Sequence, residues 1–333
     1  MIIWLKNTAD PQEAVLKAAP WHGLLVQDEE QNLLVISGKV KELPPVLEPF
    51  TEQYVATDGD FQLSSRLFRA ETRTVALSPG ILIGGNTRNC VLITGPCSVE
   101  NAGQIEACAR LCVETGVRVL RAGAFKPRTS PYSFQGLGLE GLKLLAAMRE
   151  KYGLRIITEV RDATHVEAVI EYSDIVQVGA KAMYDQGILR ACGRTQKPVL
   201  IKRGFGTTLQ EFVQASEFVL SGGNPNVILC ERGIRTFETK TRFTLDLCGV
   251  AWLRHHCNLP IVLDPSHAMG FAYGVPALAR ACLAIGADGL LIETHPNPPA
   301  ALSDASQQLN FEEFRQLVAS LRPLAAAINM KII

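Results

Sequence analysis

Residues 260–267 read Pro260-Ile261-Val262-Leu263-Asp264-Pro265-Ser266-His267. The run is apolar on both faces, as a strand buried in a parallel sheet must be, and it stops abruptly at a carboxylate and an imidazole. Seven more short runs of this kind recur, at 91–95, 117–121, 155–159, 174–178, 198–202, 227–231 and 289–293. Segments with helical spacing lie between them, near 101–115, 136–152, 163–171, 185–193, 208–221, 238–255, 273–285 and 310–327. Eight strands alternating with eight helices fit a (β/α)8 TIM barrel or a doubly wound sheet. The strand tips decide between the two. The first run ends in Gly95-Pro96-Cys97-Ser98, and the second in Arg121, which leads to Lys126-Pro127-Arg128-Thr129-Ser130. The others end in Glu159, Gly179-Ala180-Lys181, Lys202-Arg203-Gly204, Glu231-Arg232-Gly233, Asp264-Pro265-Ser266-His267 and Glu293-Thr294-His295. Only a closed ring brings eight C-terminal strand ends to one place, and its mouth is where barrels carry their chemistry. Leu82–Ile83 is expected to cap the opposite end.

The first 70 residues follow a different pattern. Strands are expected at Ile2–Leu5, Leu24–Gln27, Asn32–Ser37 and Gln53–Ala56, with helices at Pro11–Ala19 (capped by Asp10) and Val40–Phe50. The order βαββαβ is that of a small α+β ferredoxin-like domain. Residues 57–73 are polar and read as a linker, so the chain divides into 1–70, a domain that could be regulatory, and the barrel at 71–333.

Composition limits the remaining choices. With 333 residues, 47% of them hydrophobic and 20% charged, the chain can bury a large core. Its 33 Lys and Arg balance 33 Asp and Glu, so bulk charge argues for neither nucleic acid nor membrane. The nine cysteines form no CxxC pair and do not look like a disulfide framework. A reducing compartment is expected, with every cysteine but Cys97 in the core. Met1-Ile2-Ile3-Trp4-Leu5-Lys6 lacks the features of a secretory signal, and no stretch approaches the roughly 20 apolar residues of a membrane span. The cytoplasm is the expected location.

Two chemical sets stand at the mouth. Arg121, Lys126, Arg128, Lys181, Lys202, Arg203 and Arg232 would repel one another unless anions join them, and their head groups suit carboxylate and phosphate oxygens. Glu231 and Asp264 stand among them as expected substrate-site residues. Cys97, His267, Glu293 and Asp304 form the second set. A thiolate, an imidazole and two carboxylates can hold a divalent transition metal. His295 is expected just behind those ligands. His22, His165, His255 and His256 receive no role.

Four motifs carry a family resemblance: Gly95-Pro96-Cys97-Ser98, the unbroken stretch from Lys126-Pro127-Arg128-Thr129-Ser130 through Gln135-Gly136, Glu231-Arg232-Gly233-Ile234-Arg235-Thr236-Phe237-Glu238, and Asp264-Pro265-Ser266-His267. Together they resemble the 3-deoxy-D-arabino-heptulosonate 7-phosphate (DAHP) synthases, in their short microbial subclass with an N-terminal ferredoxin-like domain. The resemblance implies condensation of phosphoenolpyruvate with erythrose 4-phosphate, the first step of the shikimate pathway. It implies that Cys97, His267, Glu293 and Asp304 bind one metal ion (Mn, Fe, Co or Zn). Arg121, Lys126, Lys202 and Arg232 would contact phosphoenolpyruvate, and Arg128, Thr129 and Ser130 the aldehyde and its phosphate. Lys126 is the expected proton donor, with Cys97 and His267 also in the catalytic set. A homotetramer and a tyrosine or phenylalanine effector are further implications. The chain departs from the subclass at Gly179-Ala180-Lys181-Ala182, usually Gly-Ala-Arg-Asn, in Met183-Tyr184-Asp185-Gln186 beyond it, and in Met269–Gly274, which lacks the usual basic residues. Rival readings are a 3-deoxy-octulosonate 8-phosphate synthase, a lysine-dependent aldolase acting on pyruvate, and a metabolite sensor without turnover.

Overall fold

The structure is a computed structural model that describes residues 1–28, 31–57, 59, 61–126 and 130–333. Three elements come first in the chain: β1 (Ile2–Leu5), α1 (Pro11–Lys17) and β2 (Leu24–Asp28). Then come β3 (Gln31–Val35), β4 (Thr51–Val55) and the hairpin β5 (Thr74–Ser78) and β6 (Ile81–Gly84). The barrel follows as β7 (Asn89–Gly95), α2 (Ala102–Thr115), β8 (Val119–Arg121), α3 (Leu139–Tyr152), β9 (Arg155–Val160), α4 (Val166–Tyr172), β10 (Ile175–Val178) and α5 (Gln186–Gly193). It continues through β11 (Val199–Lys202), α6 (Leu209–Leu220), β12 (Val227–Glu231), α7 (Leu247–His256), β13 (Ile261–Leu263), α8 (Pro265–Met269) and α9 (Val275–Ala284). The last elements are β14 (Gly289–Glu293), α10 (Phe311–Ala327) and β15 (Lys331–Ile332).

Strands β7 to β14 form one parallel ring in chain order. It closes where β14 pairs with β7, from Gly289 opposite Val91 to Glu293 opposite Gly95. The doubly wound alternative is therefore excluded. The barrel interior is filled by Val91, Ile93, Val119, Ile157, Ile175, Leu200, Ile228, Val262 and Leu291. The hairpin supplies Val75, Leu77, Ile81 and Ile83 to that same cluster. The expected plug at Leu82–Ile83 is thus a full two-stranded element. A second, larger cluster joins the outer strand faces to the surrounding helices.

The N-terminal segment folds as an antiparallel sheet of order β2-β3-β1-β4. Asp10 accepts the Gln12 N–H at 2.9 Å and Pro11 occupies the first turn, so α1 starts where its cap dictates. Ile3, Leu5, Leu34 and Ile36 pack with α1 on one face, while Ile2 and Leu33 turn to the barrel helices. The expected helix at 40–50 is instead a 3-10 segment, Pro45–Phe50, with Pro49 inside it. Prolines lack the N–H that an α-ladder needs. The last strand of the unit starts at Thr51, two residues earlier than expected.

Residues 57–73 are strapped to the barrel; Asp58 and Asp60 lie outside the described residues. The Glu217 carboxylate on α6 accepts the N–H groups of Gln62, Leu63 and Ser64 at 2.9, 3.1 and 2.9 Å. Asn258 donates to Leu63 O and Ser65 O, and Arg73 spans from Asn258 Oδ1 to Asp28 Oδ1, each at 3.2 Å. Two further differences concern helices. Residues 238–246 are irregular, because Asp246 caps α7 by accepting the Gly249 N–H. The Asp264–His267 motif forms the one-turn helix α8, capped by Asp264. Eight of the nine cysteines are buried as free thiols, but Cys248 is exposed, contrary to the expectation of a core position. Among the described residues, no helix is long and apolar enough to cross a membrane.

Glu217→Ala would leave three strap N–H groups without their acceptor. Such losses cost roughly 1–3 kcal/mol each when water cannot replace the partner. We expect a loss of about 3 kcal/mol or more in urea unfolding and faster trypsin cleavage at Arg66 and Arg69, with Glu217→Gln milder because it keeps one oxygen. Unchanged cleavage and stability would show that the strap does not depend on this carboxylate.

Candidate active site

The strand ends converge on a cavity of about 340 Å³ at the C-terminal mouth of the barrel. Its lining includes Lys126, Lys181, Lys202, Arg232, His267 and Asp304, with Ser130 at the rim. Below it lie Cys97 and Glu293, both buried. Gly95 has φ +141, and a Cβ there would stand 2.1 Å from Arg121 O, so only glycine lets the chain turn at the tip of β7 and deliver Cys97. Asp304 reaches in from the loop beyond β14 with φ +47, a left-handed conformation that costs a non-glycine residue roughly 1–3 kcal/mol.

Donor atoms of Cys97, Glu293 and Asp304 all lie within 4.8 Å of one another. Cys97 Sγ is 3.3 Å from Asp304 Oδ2. His267 Nε2 lies 3.5 Å from Glu293 Oε1 and 3.9 Å from Asp304 Oδ2. The four residues expected as metal ligands therefore meet, with His267 at the edge of the tighter group of three. Sulfur, imidazole and carboxylate oxygen together suit a divalent transition ion.

Each donor is held from behind. The Gln307 amide donates to Glu293 Oε2 at 2.6 Å and Arg121 Nη1 donates to Glu293 Oε1 at 2.8 Å. Asp264 Oδ1 accepts the His267 N–H at 2.9 Å. Its Oδ2 lies 2.7 Å from both Lys202 Nζ and His267 Nδ1, the latter without the alignment of a hydrogen bond. Lys126 Nζ donates to Cys97 Sγ at 3.0 Å and to Cys97 O at 3.2 Å.

Electrostatics follow from this packing. Burial, with the Glu293 charge nearby, pushes the Cys97 thiol up to about 12. Burial also opposes ionisation of Asp264, but His267 and Lys202 outweigh it and hold the carboxyl well below its usual range. Glu293 is lowered in the same way, burial being overcome by His267 and Arg121. For His267 burial wins and the imidazole is lowered despite Asp264 and Glu293. A cation brought among the donors would reverse the penalty on the thiol.

The expected cationic set divides in two. Arg121 and Lys202 have internal carboxylate partners in Glu293 and Asp264. Arg203 is locked to Glu231 Oε2 at 2.9 Å and Asp246 Oδ2 at 2.8 Å, and neither Arg203 nor Glu231 lines the cavity. Lys181 is exposed at the rim. Arg128 and Thr129 lie outside the described residues. His295 is engaged with Glu100 at 3.3 Å and accepts the Asn297 N–H. The sequence reading missed Arg242, whose Nη1 donates to Gln307 Oε1 at 2.7 Å and stands 3.4 Å from Asp304 Oδ2. It also missed Phe205 and Phe243 on the cavity wall. Arg242 and Phe243 were hidden within the expected helix at 238–255, which would have aimed them outward.

Known proteins match this architecture over its full length. The model of the DAHP synthetase I family matches residues 65–328. The phospho-2-dehydro-3-deoxyheptonate aldolase of Thermotoga maritima is 40% identical over 100% of both chains. The crystal structure of that organism's DAHP synthase superposes with TM-score 0.80 at 38% identity, over 100% of this chain and 99% of the other. A truncated form of the Thermotoga maritima enzyme covers 82% of this chain and 99% of its own, with TM-score 0.76 at 42% identity. The 2-dehydro-3-deoxyphosphooctonate aldolase of Syntrophotalea carbinolica is more distant, 33% identical over 75% of this chain and 95% of its own. With its closed parallel ring, its cationic mouth and a family match spanning nearly the whole barrel, this chain belongs to the DAHP synthetase I family.

Proposed function

We propose that this chain condenses phosphoenolpyruvate with erythrose 4-phosphate, giving DAHP and inorganic phosphate, as the entry step of aromatic amino acid biosynthesis in the cytoplasm. The observation that carries the reading is the meeting of the Cys97, Glu293, Asp304 and His267 donors with Lys126, Lys202 and Arg232 around one cavity. The alternative aldehyde, arabinose 5-phosphate, belongs to the more distant relatives' type of chemistry and is a control here.

Cys97, His267, Glu293 and Asp304 would hold one divalent ion, manganese, iron, cobalt or zinc. When bound, that ion supplies Lewis-acid polarisation of the aldehyde carbonyl. The protein's own groups do the rest. Arg121, Lys126, Lys202 and Arg232 bind the carboxylate and phosphate of phosphoenolpyruvate, and Arg128, Thr129 and Ser130 the aldehyde and its phosphate. Lys181 completes the proposed substrate site at the rim, Asp264 orients Lys202, and the Arg203–Glu231 pair braces the wall behind them. Carbon 3 of phosphoenolpyruvate forms the new bond to the aldehyde carbon. Lys126, next to Cys97, donates the proton that the aldehyde oxygen takes up. Water adds at carbon 2 and phosphate leaves. Fixed positions for two anionic reactants convert a bimolecular collision into a local step, and preset cations need no reorganisation as charge develops.

The domain division at residues 70 and 71 and a feedback role for the N-terminal unit belong to the same proposal. Tyrosine or phenylalanine is the proposed effector and a homotetramer the proposed assembly. Cutting at this boundary keeps every barrel strand and the bottom hairpin, since β5 starts at Thr74, but removes the strap residues that pair with Glu217 and Asn258, so the truncated chain is expected to be less stable.

Turnover is tested by following phosphoenolpyruvate with erythrose 4-phosphate present. We expect loss of its absorbance, abolition by chelator and rescue by manganese. Turnover that ignores the chelator, or that needs arabinose 5-phosphate, would overturn the assignment. Thiolate ligation is tested with cobalt. The native chain should develop a near-ultraviolet sulfur-to-cobalt band that Cys97→Ser lacks, with the fold retained by circular dichroism. The same band in Cys97→Ser would remove Cys97 from the ligand set. Deleting residues 1–70 should leave turnover and abolish inhibition by tyrosine or phenylalanine. A full-length protein that neither amino acid inhibits would refute the regulatory role.

A further inference from the structure

Phe243 is a half-buried residue in the irregular stretch between β12 and α7, and no step above uses it. Its position is nevertheless closely determined. Ile234 and Thr244 exchange two backbone hydrogen bonds of 2.9 Å, and the Phe243 N–H donates to Ala268 O at 2.8 Å, next to His267. Gly233 has φ +95, and a Cβ there would come within 2.7 Å of Phe243 Cβ. Glycine is what lets the ring approach the strand end.

The ring stands between two other groups. Arg232 Cζ lies 4.2 Å from its centroid, too close for an edge-on approach, so the guanidinium rests over the π face. Phe205 stacks beside Phe243, with centroids 5.6 Å apart and planes 29° from parallel. Arg235 Cζ lies 4.9 Å over Phe205, and the Arg235 N–H donates to Phe205 O at 2.6 Å. The order is cation, ring, ring, cation, with Arg242 Cζ as a more distant third cation 5.8 Å from the Phe243 centroid.

Arg232 differs from its neighbours in what holds it. Arg121, Lys202 and Arg203 each have a carboxylate within 3 Å. Among the described residues, no carboxylate pairs with Arg232, which is only 4% exposed and has one long hydrogen bond, 3.4 Å, to Gly233 O. A carboxylate partner would occupy the N–H edge that an anionic ligand needs. An aromatic face attracts the cation and leaves that edge free.

The geometry points to Phe243, backed by Phe205, as a positioning residue that fixes the plane of the Arg232 guanidinium so that its N–H edge faces an anion in the cavity. This rests on the reading of Arg232 as a contact to phosphoenolpyruvate. Loss of the stack should raise KM for that substrate, while kcat and the aldehyde KM stay near wild type.

The test uses the full-length, metal-loaded protein. Phe243→Leu should raise KM for phosphoenolpyruvate about tenfold, a desolvated cation–π contact being worth that order, and Phe243→Tyr should restore it. In an Arg232→Lys background, Phe243→Leu should have a smaller effect on KM, since an ammonium is still drawn to the ring but has no plane for the ring to fix. Equal losses in the Leu and Tyr variants, a fall in kcat with both KM values changed, or an undiminished effect in the Lys background would overturn the proposal. Phe205→Leu serves if Phe243→Leu does not fold. Calorimetric titration with phosphoenolpyruvate reads the stack without turnover. Wild-type binding without turnover would fail the proposed reaction alone, whereas unchanged affinity in both Leu variants would fail the stack alone.

Discussion

The closing pair of the barrel, β14 on β7, is the constraint from which the rest follows. Its strands are apolar on both faces, and a parallel sheet of such strands with open edges would leave N–H and C=O groups without partners inside a core. Pairing Gly289–Glu293 with Val91–Gly95 removes both edges. The same pairing puts Glu293 opposite Gly95, and therefore the carboxylate beside the turn that delivers Cys97. The metal-type donor cluster is thus a by-product of closing the ring. The hairpin of β5 and β6 seals the other end and leaves one mouth for chemistry.

Within that mouth, charge is arranged for orientation more than for stability. Arg121–Glu293 and Lys202–Asp264 are buried ion pairs, for which desolvation offsets much of the Coulomb gain. Their effect is to fix where each group points. One Asp264 oxygen stands 2.7 Å from both Lys202 and His267, so a cation of the mouth and the imidazole beside the donor cluster share one anchor. Arg203 and Glu231 form a similar pair beneath the cavity, which makes them supports of the wall. Arg232 and Lys126 have no such partner among the described residues: Lys126 is held by Cys97, and Arg232 by an aromatic ring and a single long hydrogen bond.

The N-terminal sheet is built into this frame along two faces. Period-two alternation sends Ile3 and Leu5 to its own small core and Ile2 toward the barrel. Residues 57–73 then run from one unit to the other under side-chain control from Glu217, Asn258 and Arg73. A signal from the sheet would have to pass through that strap or through the shared apolar face.

The eight apolar runs, their spacing and the polar residues at their ends were determined by sequence alone, because burial on both faces and chemistry at the tips are written locally. The N-terminal strand order and the Asp10 cap were legible for the same reason. Other features depended on partners distant in the chain. The helix expected at 238–255 begins only at Leu247, because Asp246 is both its cap and a partner of Arg203 on β11's tip. Periodicity alone does not register such a partner. Which cations of the mouth would find carboxylates and which would stay available was likewise decided by ring closure. Phe243 read as one apolar position in a helix, and only the approach of Gly233 and Arg232 made it part of the cavity wall. Local pattern sets which residues enter the core and which stand at its rim; the pairing of the rim residues is a three-dimensional outcome, because their partners meet only when the ring closes.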